Sequence, residues 1–269
     1  MTNLRSNFAG TFYPANPHQL AGQIRQYLDQ TQKTIAHPKA LLVPHAGIVY
    51  SGATAGFAYK QIEDLPYERI IILAPSHQLY HRALAIPIAK GVDTPLGHIR
   101  FDADTITSLT QSKPFILDNS PHLQEHAIEV QYPFIQMALN APFQVLPISV
   151  GDINGTDIKL GSQQLAHLMD DKTLLIISSD LSHYHNKNTA QVLDNTTLTH
   201  ILHNDIDGLI GSYQRKAAEC CGLHPILLGM AILNSLPPPY SATLLHYDTS
   251  ASTSFDDQHV VGYASIAFS

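Results

Sequence analysis

The stretch that decides the fold is IIILAPSH, residues 70–77, in which an uninterrupted apolar run ends at a histidine. Two other stretches repeat this arrangement: ALLVPH at residues 40–45 and LLIISSDLSH at residues 174–183. Continuous apolar strands are typical of a sheet that is covered on both faces. We therefore expect a mostly parallel central sheet with helices on both of its faces.

Strand-like and helix-like segments alternate along the chain, which indicates an α/β fold. No repeat, low-complexity block or charged linker divides the sequence, so we predict a single domain over residues 1–269. The break SLPPPYS, residues 235–241, separates the last helix from two final strands, whose antiparallel pairing would make the sheet mixed. The predicted strands are residues 40–43, 69–74, 143–150, 173–178, 242–246 and 260–268, and the predicted helices are residues 53–62, 122–139, 157–169, 195–203 and 222–236.

The composition excludes several classes of protein. The formal net charge is −7 and there is no run of lysines or arginines, so we expect no nucleic-acid partner. The N-terminus lacks the apolar core of a signal peptide, and no apolar run is long enough to cross a bilayer. The two cysteines, Cys220 and Cys221, are adjacent and poorly suited to a disulfide framework. We therefore expect a reduced, cytoplasmic protein without a membrane partner.

Histidines follow the ends of the apolar strands. His45 and His77 come directly after two of them, and the pair Asp180 and His183 follows a third. Ligands of open α/β sheets gather at the carboxyl ends of the strands, and neutral imidazole is the commonest metal ligand in proteins. These residues therefore predict a metal site, although loop histidines that only face water remain an alternative.

Cys221 is a candidate third metal ligand. It stands just before a predicted apolar helix, and a helix N-terminus lowers the pKa of a thiol, so we expect a thiolate near neutral pH. The alternative is a small buried hydrophobic residue, which is the more common fate of a free cysteine and suits Cys220.

Two further pairs of polar residues are candidates for the same pocket. His126 and Glu129 are three residues apart in a predicted helix and so share a face, where they could bind metal, support a metal ligand or simply face water. Asp180 could orient His183 or accept its proton, which suits acid–base catalysis near pH 7. A helix-capping role for Ser178, Ser179 or Asp180 is the alternative.

With these residues in place, the sequence resembles the Memo-like family, also called AmmeMemoRadiSam system protein B. The resemblance runs nearly from end to end. It rests on the motifs AGTFYP (9–14), PHAGIVYSG (44–52), APSH (74–77), EHAIEVQYPF (125–134), SSDLSH (178–183), CGLHPI (221–226) and YDTS (247–250).

The resemblance implies a fold similar to that of the class III extradiol dioxygenases, which hold non-haem Fe(II) at one end of an α/β sheet. By motif, the metal ligands would be His45, His77 and Cys221, and the catalytic residues would be His183 and Asp180. His126 and Glu129 would line the pocket. Ser76 and Tyr50, which lie within two of the motifs, are also expected there.

The resemblance also implies cofactors and partners. Fe(II) or copper is the expected metal, with zinc as a further candidate. A small-molecule or peptide ligand would occupy the pocket, and radical-SAM and AMMECR1-type proteins would be partners. The dioxygenases use a carboxylate as third ligand where this chain offers the softer sulfur of Cys221, so ring cleavage does not carry over automatically.

Three functions are compatible with this site. The first is a non-haem iron or copper oxidoreductase in which His183 moves protons. The second is a non-catalytic adaptor or chaperone that keeps the pocket to hold a metal or a peptide. The third is zinc-dependent hydrolysis, although no hydrolase motif accompanies the site.

Overall fold

Strands and helices alternate along the part of the chain that the computed structural model describes, residues 2–237 and 239–269. The strands are β1 (Leu4–Arg5), β2 (Ala40–Val43), β3 (Arg69–Pro75), β4 (Leu84–Ile86), β5 (Gly91–Thr94), β6 (Gly97–Phe101), β7 (Phe115–Leu117), β8 (Gln144–Val150), β9 (Thr173–Ser178), β10 (His183–His185), β11 (Ala242–Thr249) and β12 (Val260–Phe268). The helices are α1 (Pro17–Asp29), α2 (Ile48–Gln61), α3 (Ala103–Leu109), α4 (Ser120–Leu123), α5 (His126–Glu129), α6 (Gln131–Ala138), α7 (Gly155–Ala166), α8 (Lys187–Leu202), α9 (Ile206–Gln214), α10 (Leu223–Asn234) and α11 (Ala251–Ser254).

The apolar stretch quoted first forms the centre of the sheet. β3 pairs in parallel with β8 on one side and with β9 on the other, and β9 pairs in parallel with β2. Every residue of β2 and β9 is buried, as are residues 70–75 of β3. Each fully buried isoleucine or leucine contributes about 1.5–3 kcal/mol, so these strands form the centre of the core. The predicted two-sided parallel strands are confirmed.

Helices cover both faces of this sheet. On one face α1, α2 and α6 pack together, with α2 against β2 and β12, and on the other face α10 packs against α7, β3 and β9. β12 runs antiparallel to both β2 and β11. The predicted α/β class with a mixed, mostly parallel sheet is therefore confirmed. None of the helices in residues 2–237 and 239–269 is long and apolar enough to cross a membrane.

The long helix predicted over residues 122–139 is wrong. The structure has three short helices there, α4, α5 and α6, because Glu125 adopts an extended backbone and caps α5 by accepting a hydrogen bond from the Ala127 amide. Apolar periodicity runs through the break and so conceals it. The break turns His126, the first residue of α5, towards the carboxyl edge of the sheet.

Several elements have no counterpart in the sequence prediction. The strands β4 to β7 are only three to five residues long, which is too short for an alternation of apolar and polar residues to be recognised. α1 begins with Pro17 after the capping residue Asn16, a start signal that its sparse apolar positions make easy to overlook. α8 begins at Lys187, well before the predicted residue 195, because Asn186 caps it.

The carboxyl ends of three neighbouring strands carry the candidate residues. The strand order is β3, β9, β2, and His77, Asp180 and His45 each stand two residues beyond the last residue of their strand. Parallel strands in register end at the same edge of a sheet, so residues at equal offsets beyond them become neighbours.

Candidate metal centre

Three histidines form a cluster at this edge. One ring nitrogen each from His45, His77 and His126 lies within 4.8 Å of the other two. The ring centroids are 5.1 Å apart for His45 and His77, 5.4 Å for His45 and His126, and 5.1 Å for His77 and His126. Two of these residues follow β2 and β3, and the third comes from the break in the predicted helix. We call these three residues the histidine cluster.

His45 is buried, and a hydrogen bond at its Nδ1 fixes the orientation of its ring. Its Nδ1 lies 2.9 Å from the Ser178 hydroxyl, which donates to the Ala127 carbonyl at 2.8 Å and accepts from the Gln131 amide at 2.9 Å. Because the Ser178 proton is already used, the Nδ1 of His45 must donate, which leaves the lone pair on Nε2. Burial lowers the pKa of His45 well below its ordinary value, and His77 and His126 lower it further.

His77 is held by Glu125. This carboxylate accepts the backbone amide of His77 at 2.5 Å, its Nδ1 at 2.9 Å and the Ala127 amide at 3.0 Å. Burial alone would raise the pKa of Glu125, but these hydrogen bonds and the charge of His77 lower it to about 2. Burial alone would lower the pKa of His77, and Glu125 raises it above the ordinary value instead. As in His45, Nδ1 is occupied and Nε2 is free.

His126 lies between two other rings. It stacks on His77 with an interplanar angle of 18°, and its centroid is 4.3 Å from that of Phe12. Its Nδ1 is 3.4 Å from Glu125, longer than the corresponding contacts of the other two histidines. Burial lowers the pKa of His126.

Cys221 touches the histidine cluster at one member. Its Sγ is 3.1 Å from the Nε2 of His45 and accepts a hydrogen bond from the Asp180 amide at 3.3 Å. The set of ligand atoms that all lie within 4.8 Å of one another consists of the three histidine nitrogens and does not include this sulfur. The expected thiolate near neutral pH is wrong for the metal-free protein, because burial, Asp180 and Cys220 raise the pKa of Cys221 well above its ordinary value. These effects outweigh the nearby start of α10. Cys220 is buried, as its packing alternative predicts.

Asp180 and His183 occupy the loop beyond β9. The Asp180 carboxylate accepts the backbone amides of His45 at 2.7 Å and Ala46 at 3.4 Å. Burial raises the pKa of Asp180, while these amides and the nearby His183 oppose the rise. The His183 amide donates to Glu219 at 2.8 Å, and His183 begins β10 beside β12. Asp180 thus holds the backbone of the loop that carries His45, and His183 lies near Asp180.

The remaining predicted pocket residues are more dispersed. Tyr50 is 46% exposed in the first turn of α2, and the Ser76 hydroxyl donates to the Leu79 carbonyl at 2.6 Å within a turn. Glu129 does not join the histidine cluster and instead accepts hydrogen bonds from the N-terminal segment. Whether these three residues contact a ligand stays a prediction.

The sequence analysis does not predict that three residues contact the histidine cluster: Glu125, Ser178 and Phe12. Glu125 directly precedes His126, and a carboxylate at the start of a helix could have indicated both a cap and a histidine partner. Ser178 is the last residue of a buried strand, and Phe12 is distant in the chain. Their contacts with the rings depend on the tertiary fold.

Fold and site together define an α/β protein with a cluster of histidines at the carboxyl edge of a mostly parallel sheet. Among solved structures, the fold resembles that of an uncharacterised protein from Escherichia coli K12, with a TM-score of 0.53, 14% identity and coverage of 85% of this chain and 98% of that one. This likeness concerns the fold alone.

The chain belongs to the Memo-like protein family, whose model matches residues 5–267. It is 31% identical over 262 residues to a MEMO1 family protein from Thermoplasma volcanium, covering 96% of this chain and 95% of the relative. It is 33% identical over 264 residues to a MEMO1 family protein from Methanosarcina barkeri, covering 96% and 97%. A memo-1 homolog from Caenorhabditis elegans is 29% identical, covering 97% and 81%. The resemblance drawn from the motifs is confirmed.

Proposed function

We propose that this Memo-like protein binds one transition-metal ion at the histidine cluster, with Cys221 as a further ligand. The observation that carries the proposal is the approach of three ring nitrogens to within 4.8 Å of one another. Imidazole binds metal only when it is neutral, and burial lowers the pKa of both His45 and His126. At least two of the three rings are therefore neutral near pH 7 before any metal arrives.

The surroundings of the rings also support a metal site. Histidine ligands in metalloproteins usually donate their second ring N–H to a carboxylate or another acceptor, which fixes the ring and its tautomer. Ser178 provides that acceptor for His45, and Glu125 provides it for His77. An ordinary group of surface histidines would not need a buried serine and a buried carboxylate behind it.

The donor set narrows the choice of metal. Imidazole suits iron, copper and zinc, and a thiol favours copper(I) or zinc. Of the two buried carboxylates near the rings, Glu125 accepts N–H groups of the protein with both oxygens, and Asp180 accepts two backbone amides with Oδ1. Neither carboxylate contributes an oxygen to the group of ligand atoms that approach one another, so the arrangement differs from the carboxylate-containing site of an iron dioxygenase. We therefore propose copper, which suits both imidazole and thiol, or iron held by imidazole, with zinc as the alternative. A bound iron or copper ion would supply one-electron redox chemistry.

Two functions of such a site can be separated by the role of Asp180 and His183. In an oxidoreductase, His183 would hold or move a proton next to the site, and Asp180 would position the loop. In a non-catalytic metal-binding protein, His183 would be dispensable. The engagement of Asp180 by two backbone amides favours a positioning role for that residue in either case. The pocket ligand and the radical-SAM and AMMECR1-type partners stay predictions.

Anaerobic titration of the metal-free protein with Cu(I), Fe(II) or Zn²⁺ tests the proposal. We expect one ion per chain, with affinity lost in His45→Ala and His77→Ala and reduced in Cys221→Ser. His122→Gln is the matched control, because His122 is also partly buried but donates to the Ala85 carbonyl and is not a member of the histidine cluster. Binding that is absent, or equal in His45→Ala and His122→Gln, would contradict the proposal. Turnover that disappears in His183→Ala while metal content persists would identify an enzyme.

A further inference from the structure

A segment near the N-terminus covers the outer side of the histidine cluster. We call residues 7–13 the strap; it contains most of the AGTFYP motif. The Phe12 ring centroid lies 4.3 Å from that of His126 at an interplanar angle of 33°, and Phe8 approaches the same imidazole edge-on at 5.7 Å. The two phenylalanines contact each other at 5.2 Å. The strap thus provides an aromatic wall for one histidine.

Glu129 holds the strap from the inside. Its Oε1 accepts the Tyr13 hydroxyl at 2.6 Å and the Phe8 amide at 2.7 Å, and its Oε2 accepts the Asn7 amide at 2.9 Å. The Glu129 side chain is buried, and all three donors are neutral. Three hydrogen bonds converge on this one buried side chain, so it is a strong attachment for the strap.

A second attachment joins the strap to the loop that carries His45. The Phe12 carbonyl accepts the Ile48 amide at 2.8 Å, at the start of α2. Phe12 is therefore fixed at its backbone while its ring lies on His126. Movement of the strap would change the space available to that imidazole.

The orientation of the His126 ring depends on contacts with other rings more than the orientations of His45 and His77 do. His45 and His77 each have a polar partner 2.9 Å from Nδ1, whereas the Nδ1 of His126 is 3.4 Å from Glu125. The other restraints on the His126 ring are its stacking on His77 and on Phe12 and the edge-on contacts of Phe8 and His45. Removal of Phe12 would leave one face of the ring without support.

We propose that Glu129 and Phe12 are positioning residues for His126. Glu129 attaches the strap to α5, and Phe12 packs against the His126 imidazole and so keeps it within the histidine cluster. Glu129 thereby acts on a neighbour in its own short helix through a distant segment of the chain. The consequence for metal affinity rests on the proposed function, whereas the consequence for the position of His126 does not.

The first measurement uses metal-free protein and the ring resonances of its histidines, with those of His126 identified by their loss in His126→Gln. Protons over the face of an aromatic ring are shielded, so Phe12→Leu should move the His126 ring signals downfield, and Phe12→Tyr should restore them. Glu129→Gln should shift or broaden the same signals and leave those of His45 in place. Asp102→Asn is the matched control, because Asp102 is a buried carboxylate that accepts Arg69 and Thr105 far from the site.

The second measurement uses Co²⁺ alone, in competition with a chelator. Loss of residues that orient metal ligands typically weakens affinity about 10- to 100-fold, and we expect at least the lower value for Glu129→Gln and Phe12→Leu. Phe12→Tyr and Asp102→Asn should bind like the wild type. Glutamine and leucine are used because they preserve volume and so favour folded variants, which unfolding curves would verify.

The outcomes separate the two proposals. Unchanged His126 resonances in folded Glu129→Gln and Phe12→Leu would overturn the positioning role, whatever the metal data. Altered resonances with wild-type Co²⁺ affinity would also overturn it, because the strap would then position no ligand. If wild-type protein bound neither Co²⁺ nor any of Cu(I), Fe(II) and Zn²⁺, the proposed function would fail, and the resonances would still decide whether the strap positions His126.

Discussion

Substitution of Glu125 by glutamine tests the support of the histidine cluster. Glutamine keeps the shape of the side chain but has no charge, and its amide nitrogen cannot accept the N–H groups that both carboxylate oxygens accept now. A shift of the Glu125 pKa from 4.5 to about 2 corresponds to about 3 kcal/mol of stabilisation by the charged form. Because glutamine retains part of the hydrogen bonding, we expect a loss of about 2–3 kcal/mol in the free energy of unfolding.

The pH dependence of that loss has a defined sign. The folded-state pKa of Glu125 is lowered, so its contribution is present above pH 4.5 and is lost as the pH falls towards 2. The pKa of His77 is raised, so the charged pair is complete below pH 6.5 and weakens as the pH rises through the folded value. The difference between wild type and Glu125→Gln should therefore be largest at about pH 5–6 and smaller on either side.

Urea unfolding of the metal-free protein, followed by far-ultraviolet circular dichroism between pH 3.5 and 9, measures this difference. A cycle with His77→Gln and the double variant isolates the interaction of the pair. We expect a coupling energy of at least about 1 kcal/mol at pH 6. A difference that stays constant across this pH range, or a cycle without coupling, would refute the charged pair.

Other substitutions test the packing, the orientation of His45 and the thiol. Gly56→Ala would place a Cβ against the backbone carbonyl oxygen of Tyr27 in α1 and should cost about 1–3 kcal/mol in the free energy of unfolding, measured in urea. The Cβ of Gly22→Ala meets nothing within 4 Å, so this substitution should stabilise the protein by about 0.5–1 kcal/mol. Equal effects would contradict the close approach of α1 and α2. Ser178→Ala removes the acceptor of the His45 Nδ1 and should weaken Zn²⁺ binding about tenfold in a chelator competition; unchanged affinity would count against that orientation. Cys221 should react with iodoacetamide at pH 7.5 far more slowly in the folded, metal-free protein than in urea, and rapid alkylation of the folded form would disprove the raised pKa.

The strand ends were predictable because they depend on local pattern. An apolar run such as that of β3 has to be buried on both faces, and in a parallel sheet its carboxyl end is shared with its neighbours. His45, His77 and Asp180 stand at equal offsets beyond three such strands, so pattern and offset suffice to bring them to one edge. The class of fold and two members of the histidine cluster follow from the sequence by this reasoning.

The third member could not be obtained in this way. Apolar spacing over residues 122–139 favours one continuous helix, whereas the carboxylate of Glu125 caps a new helix and binds His77 from a different strand. That contact joins residues 48 positions apart and turns His126 into the site. Periodicity records which face of an element is buried, and it carries no information about a hydrogen bond to a distant loop.

The sequence by itself determined a two-sided parallel sheet, two strand-end histidines and a nearby cysteine. Only the tertiary structure decided that His126 joins the first two histidines, that Glu129 faces the strap, and that Cys221 has a raised pKa in the metal-free protein. The physical reason is that burial and long-range hydrogen bonds govern orientation and charge, and both depend on segments that meet only when the chain has folded.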